Sequence, residues 1–239
     1  MTAGVRRLPR AERGVAVKVC GLTRPEDAAL AARLGAAALG VVFAPSPRRL
    51  EIDRAAAVLA AAPPGLARVG VFVDPAPAFV AEAVRACALD WVQLSGRESA
   101  EAALEIMAAV AAAGARPGLI RAVHVHGGAD IRALADYPAD AFLLDAPPLR
   151  TDDGERMGGT GRTFDWSRAA ALPWDRERVA LAGGLEPANL ATAVRAVRPA
   201  IVDVSSGVES APGIKDPARL AALLDAAREI EFQEARCQQ

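Results

Sequence analysis

Cysteine is scarce in this chain of 239 residues: Cys20, Cys87 and Cys237 are odd in number, far apart and in no paired metal-ligand spacing. That excludes a disulfide framework and points to a reducing cytoplasm. Neither sign of charge is in excess, since 28 basic residues meet 29 acidic ones for a net charge of -1, so no global field draws the chain to nucleic acid or to a membrane. Any anion it binds must be held locally. No apolar run reaches the roughly 18 residues of a membrane span. A phosphate loop ending in Gly-Lys-Ser/Thr is also missing, and with it the expectation of a nucleotide triphosphate. Residues Met1 to Gly14 carry Arg6, Arg7, Arg10 and Arg13 but no hydrophobic core of their own, which excludes a secretory signal. They read as a flexible tail over 1–14. A transit peptide or a nucleic-acid arm is the sharper alternative, and Glu12 and the shortness of the cluster weigh against it.

What is present is apolar: 52% of the residues are hydrophobic, enough to bury a large core. From Val15 onward short apolar runs alternate with Ala-rich helical stretches, eight times over, which implies parallel pairing. The strands are read at Ala16 to Cys20, Ala37 to Phe43, Ala67 to Val73, Trp91 to Leu94, Leu119 to Val125, Ala141 to Asp145, Arg178 to Ala182 and Ile201 to Ser205. Helices fall at Pro25 to Leu34, Ile52 to Ala62, Ala76 to Cys87, Ser99 to Ala113, Pro187 to Val197 and Pro217 to Arg228, with a short one at Trp166 to Ala171. Proline opens several of them, and Thr23, Glu186 and Asp216 stand near those starts, Asp216 as the best N-cap. An open dinucleotide fold requires G-x-G-x-x-G after its first strand, where this chain has Cys20-Gly21-Leu22-Thr23. The architecture expected is therefore α/β, a single eight-stranded parallel β/α (TIM) barrel over 15–230, followed by a tail over 231–239.

Two loops carry the phosphate signal. Ala182-Gly183-Gly184-Leu185 follows the seventh strand, and Ser205-Ser206-Gly207-Val208-Glu209 the eighth, where barrels commonly hold a phosphate. Glycines there let backbone amides approach an anion, and a following helical turn adds its positive end. Either loop alone reads equally well as a tight turn; two on adjacent strands argue for a phosphate monoester. The sixth-strand loop, Gly158 to Trp166, has the composition of a lid, with Gly159 and Thr160 near the ligand and Phe164 and Trp166 structural.

Acid and base candidates stand at strand ends. By period two Cys20 shares a face with Lys18, Asp203 with Ser205, and Asp145 closes the sixth strand. A thiolate accepts a proton once cations or amide dipoles bring its pKa toward neutrality, and a carboxylic acid near apolar walls holds one to donate. The bland readings are an inert buried thiol and an aspartate that caps a loop. His124 and His126, the only histidines, lie before Gly127-Gly128 and read as residues of a solvated loop. Arg48 and Arg49 follow the second strand, where a guanidinium can grip a carboxylate by two parallel bonds.

Val17-Lys18-Val19-Cys20-Gly21-Leu22-Thr23 with Glu26-Asp27-Ala28 resembles the opening signature of the phosphoribosylanthranilate isomerases of tryptophan biosynthesis. The likeness continues in order through Phe43 to Leu50, Val69 to Val73, Val92-Gln93-Leu94, Leu143-Leu144-Asp145, Gly158 to Trp166, Gly183-Gly184-Leu185, Val202 to Glu209, Pro212-Gly213 and Lys215-Asp216. The resemblance implies an Amadori rearrangement of a sugar-phosphate substrate without metal or cofactor, in a cytoplasmic monomer or homodimer. It implies Cys20 as general base and Asp145 as general acid. The carboxylate of the substrate falls to Arg48 if the loop is one residue short, or to Arg49 without a gap; Leu50 favours Arg48. It also places Gln93, Gly159, Thr160 and Asp203 along the substrate and Gly183, Gly184, Ser205, Ser206 and Gly207 at its phosphate. Ser95 departs from the family's Gln-Leu-His-Gly, and Arg121 stands where a lysine is common. The competing functions are another aldose–ketose isomerase of phosphosugars and a non-catalytic barrel that binds phosphometabolites.

Overall fold

The computed structural model describes residues 6–125, 134, 136–146, 149–151, 154–156, 163–170 and 174–231. Eight parallel strands close into a barrel: β1 (Ala16–Val19), β2 (Ala38–Val42), β3 (Ala67–Phe72), β4 (Trp91–Leu94), β5 (Gly118–His124), β6 (Ala141–Asp145), β9 (Val179–Leu181) and β10 (Ile201–Val204). β1 pairs with both β10 and β2, which completes the ring. Every strand sends at least one residue, Ala16, Ala38, Val69, Trp91, Ile120, Ala141, Ala180 and Ile201 among them, into an inner cluster. Their neighbours in sequence, such as Val17, Leu39, Val92, Leu119, Phe142, Leu181 and Val202, belong to the larger cluster beneath the helices. The alternation of faces along a strand thus separates two apolar layers.

The helices are α1 (Pro25–Arg33), α2 (Ile52–Ala60), α3 (Pro77–Cys87), α4 (Ala100–Ala112), α5 (Trp166–Ala170), α6 (Pro187–Val197) and α7 (Pro217–Glu229). Proline occupies a first-turn position in α1, α3, α6 and α7, where its missing N–H has no helical partner to lose. Asp216 caps α7, accepting from the N–H groups of Ala218 and Arg219 at 2.9 and 3.0 Å. Glu186 and Asn189 form a capping box on α6. Thr23 caps nothing. The N-cap of α1 is Arg24, and the Thr23 hydroxyl donates instead to the Gly213 carbonyl at 2.5 Å, because Thr23 lies one residue too early to reach the first turn.

The N-terminal segment differs from expectation. Leu8 is buried in the inner cluster, so Arg6–Gly14 packs against the end of the barrel where the strands begin and is no free tail. The Arg6 N–H donates to Asp140 at 2.9 Å and its guanidinium to the Arg116 carbonyl at 3.1 Å, while Arg7 and Arg10 both pair with Glu177. The arginine cluster is balanced by carboxylates from loops far away in sequence, and one leucine suffices to plug a barrel end. Part of the sixth-strand loop is also more regular than its glycines suggest: β7 (Leu149–Thr151) and β8 (Gly154–Arg156) form an antiparallel hairpin. Gly159, Thr160 and His126 lie outside the described residues, as do 232–239 of the expected C-terminal tail. A second hairpin, β11 (Glu209–Ala211) with β12 (Ile214–Lys215), follows β10. Among the described residues no helix is long and apolar enough to cross a membrane.

Candidate active site

The strands' carboxyl ends surround a cavity of about 240 Å³ lined by Cys20, Arg48, Gln93, Ser95, His124, Asp145, Asp203 and the two glycine loops, among others. Alternation alone puts several of these side chains there. Ala16 lies in the inner cluster, so Lys18 and Cys20 follow it on the same face; Ile201 leads to Asp203 and Ser205, and Ala141 to Leu143 and Asp145.

A buried polar line crosses the floor. The Lys18 ammonium donates to Asp203 at 2.9 Å and to the Gln93 side-chain oxygen at 3.1 Å, and the Gln93 amide donates to the Ser95 hydroxyl at 3.1 Å. Burial works against the charge on Lys18, but Asp203 and then Cys20 outweigh it and hold its pKa above the usual lysine value. The second oxygen of Asp203, Oδ1, is buried and has no partner among the described residues. Ser95, where the resemblance expects a histidine, therefore closes the Lys18–Gln93 chain and lines the cavity.

Cys20 does not match the expectation of a depressed pKa. Burial, then Asp203, pushes its thiol above the ordinary value, with Lys18 and Lys215 pulling only partly the other way. The cations counted on to activate it are committed to carboxylates. Asp145 is the converse: burial lifts it to about 6, although His124 and the Ala146 N–H, which donates to it at 2.7 Å, both favour the charged form. A carboxyl at about 6 suits an acid working near neutrality.

Arg48 and Arg49 part company. Arg48 is buried and lines the cavity, whereas Arg49 is exposed and pairs with Glu51 at 3.1 Å. What aims Arg48 is Glu209, which accepts from Nε at 2.8 Å and from Nη2 at 2.5 Å. Lys215, wholly buried, donates to Glu209 at 2.8 Å, to the Cys20 carbonyl at 2.7 Å and to the Ser205 carbonyl at 3.2 Å. Its own N–H donates to Asp27 at 3.0 Å, which ties the network to α1. Arg48 passes so close to Gly21 that a Cβ there would stand 2.4 Å from its Cδ, and the φ of +70° suits glycine as well. Motif matching touched Glu209 and Lys215 but gave them no role.

Gly183 and Gly184 both have positive φ, +88° and +58°, so the chain after β9 turns in a form that side-chain-bearing residues rarely adopt. Asn189, unmarked in the sequence reading, pins this loop by donating to the Gly184 carbonyl at 2.9 Å. Because the capping box already serves the α6 N-terminus, an anion here meets the amides of the loop first. Ser206–Val208 form a single 3-10 turn after β10, and Ser205, Ser206 and Gly207 line the cavity beside Gly183 and Gly184. Phe164 and Trp166 pack on the main core, as expected of structural aromatics.

One further position differs from expectation. His124 is no solvated loop residue: it ends β5, lines the cavity and places Nδ1 3.0 Å from the Ala146 carbonyl oxygen. The signal was available, since Ile120 and Ala122 share its parity and lie in the inner cluster. Arg121, of opposite parity, faces the helices and pairs with Glu98 at 2.5 Å, so its departure from the family's lysine lies off the cavity.

Comparison with known proteins agrees with this fold. Residues 17–226 match the model of the family described as N-(5'phosphoribosyl)anthranilate (PRA) isomerase. A relative of that name from Cereibacter sphaeroides is 45% identical over 220 residues, covering 90% of this chain and 99% of its own. The crystal structure of the Thermus thermophilus phosphoribosyl anthranilate isomerase superposes with a TM-score of 0.75 at 40% identity, covering 89% of this chain and 98% of that one. Another such isomerase, solved with reduced 1-(o-carboxyphenylamino)-1-deoxyribulose 5-phosphate, gives 0.72 at 35% identity with the same coverage. The chain belongs to the N-(5'-phosphoribosyl)anthranilate isomerase family.

Proposed function

We propose that Cys20 and Asp145 are the base and the acid with which this chain carries out its family's reaction, the conversion of N-(5'-phosphoribosyl)anthranilate to 1-(2-carboxyphenylamino)-1-deoxyribulose 5-phosphate in tryptophan biosynthesis. The observation that carries the assignment is their pairing across one cavity, a carboxyl lifted to about 6 and a thiol flanked by two ammonium groups. The Asp145 carboxyl gives its proton to the furanose ring oxygen; the C1–O bond breaks and the nitrogen lone pair forms C1=N. The Cys20 thiolate then removes the C2 proton. The C–H pair becomes C1=C2 and the iminium pair returns to nitrogen, giving an enolamine. Protonation at C1 and loss of the O2 proton yield the ketone and restore both groups.

Arg48 is the partner of the anthranilate carboxylate in this reading. Its Nη1 is not used by Glu209, and the bond to Glu209 fixes the plane of the guanidinium. Gly183, Gly184, Ser205, Ser206 and Gly207 take the phosphate, and Gln93 and Asp203 line the sugar, with Gly159 and Thr160 assigned by resemblance alone. The near-neutral charge and the unpaired Cys20 and Cys87 favour a cytoplasmic enzyme, monomer or homodimer, with a small sugar phosphate as partner and neither nucleic acid nor membrane. The test is to mix the protein with freshly made substrate and follow its fluorescence. Loss faster than spontaneous hydrolysis, with the ketose product identified by mass, is expected. Binding without conversion would leave a barrel that only holds phosphometabolites.

A further inference from the structure

His124 has no part in the chemistry just described, yet it stands beside the acid. It closes β5 in register with Asp145 at the end of β6, and both side chains line the cavity. A carbonyl oxygen only accepts, so the contact with Ala146 requires the proton on Nδ1; in the tautomer that carries this one proton the lone pair lies on Nε2. That nitrogen is buried and has no hydrogen-bond partner among the described residues. An unmet buried acceptor is costly and calls for a donor from elsewhere. A second unmet acceptor of the cavity among the described residues, Asp203 Oδ1, lies on β10 next to Lys18. Both are acceptors, which suits a ligand rich in hydroxyl groups.

Their places differ in one respect. Asp145 must reach the ring oxygen to protonate it, and His124, in register with it on the next strand, lines the same part of the cavity. In the closed furanose the ring oxygen has only lone pairs to offer, and a lone pair on Nε2 gains nothing from it. Once the ring opens, the atom is a hydroxyl and donates.

We propose that His124 Nε2 accepts a hydrogen bond from the hydroxyl that ring opening creates, so that His124 is a catalytic residue which binds the open-chain forms in preference to the closed sugar. This rests on the assignment of Asp145 above. A contact made only after opening raises turnover and leaves ground-state affinity alone.

The test compares two inhibitors. One is the reduced open-chain product, 1-(2-carboxyphenylamino)-1-deoxyribulose 5-phosphate treated with borohydride; the other is methyl ribofuranoside 5-phosphate, whose ring cannot open. In His124→Phe, which keeps a flat ring without an acceptor, kcat and the affinity for the open-chain inhibitor are expected to fall about tenfold. KM and the affinity for the furanoside stay within twofold, and His124→Gln, which returns an acceptor, recovers most of the loss. If His124→Phe does not fold, His124→Leu takes its place with the same inhibitors. Equal losses for both inhibitors, a loss confined to the furanoside, or no loss would each overturn the proposal. Wild-type protein that converts no substrate and binds no open-chain inhibitor would instead remove the functional reading beneath it.

Discussion

Replacing Glu209 by glutamine tests the network behind the cavity. Glu209 is the anion shared by Arg48 and Lys215, at 2.5 and 2.8 Å, and the three side chains are 4%, 6% and 0% exposed. Burial alone raises the pKa of Glu209, but Arg48 and Lys215 more than offset it and hold the carboxyl below its usual range, so the group is charged. Glutamine keeps the shape and one acceptor oxygen while leaving two buried cations without a counter-charge. Breaking a buried pair in this way costs about 3–5 kcal/mol. The folding equilibrium then shifts by roughly a hundredfold to a few thousandfold, and for a chain of this size Tm falls by about 6–20 °C. Thermal unfolding followed by circular dichroism reads the first effect. Steady-state kinetics read the second: with Arg48 no longer held, KM is expected to rise severalfold while inhibition by inorganic phosphate is unchanged. Glu209→Gln combined with Lys215→Met removes one orphaned cation and is expected to recover part of the lost stability. A fall in Tm below about 2 °C with unaltered KM would mean that Glu209 does not hold Arg48 and Lys215 in place.

Four further outcomes follow from the structure. The acid at about 6 must be protonated and the thiol, raised by burial and Asp203, must be ionised. Below about 6 activity rises with pH as thiolate forms; above it, loss of the Asp145 proton offsets the gain, so kcat/KM should be level from about 6 to beyond the ordinary thiol value and fall thereafter. A profile that declines steadily from pH 6 would contradict this. In stability terms, the raised Asp145 pKa favours the fold below its unfolded value of 3.8, and that contribution is lost as pH rises through about 6. Leu8→Ala should cost about 2–5 kcal/mol, seen as a lower urea midpoint, with kcat/KM unchanged because Leu8 plugs the end opposite the cavity. Arg48→Ala should raise KM at least tenfold, whereas Arg49→Ala, which removes an exposed side chain paired with Glu51, should change it less than twofold.

The barrel was legible because each strand is a short apolar run whose alternate residues enter different layers, and because proline and glycine mark the boundaries. The same parity carried Lys18, Cys20, Asp203 and Ser205 to the inner face. Applied to the fifth strand, it also reaches His124; the neighbouring glycines had suggested a loop instead. Leu50 favoured Arg48 over Arg49 without deciding between them, since what buries and aims Arg48 is Glu209, 161 residues away in sequence. The Arg6–Gly14 segment was misread for a related reason: its arginines find carboxylates on distant loops, and its one buried leucine gives no periodic signal. The electrostatics of Cys20 were beyond reach in the sequence because nearby cations do not reveal which anions already hold them.

Turnover rests on the division of labour between Cys20 and Asp145. The deciding measurement is the fluorescence decay of freshly made N-(5'-phosphoribosyl)anthranilate with the wild type, Cys20→Ser and Asp145→Asn. The wild type is expected to outrun spontaneous hydrolysis, and each variant to lose at least about a hundredfold in kcat while keeping the wild-type affinity for inorganic phosphate. Near-normal turnover in either variant, or a wild type no faster than hydrolysis, would contradict it.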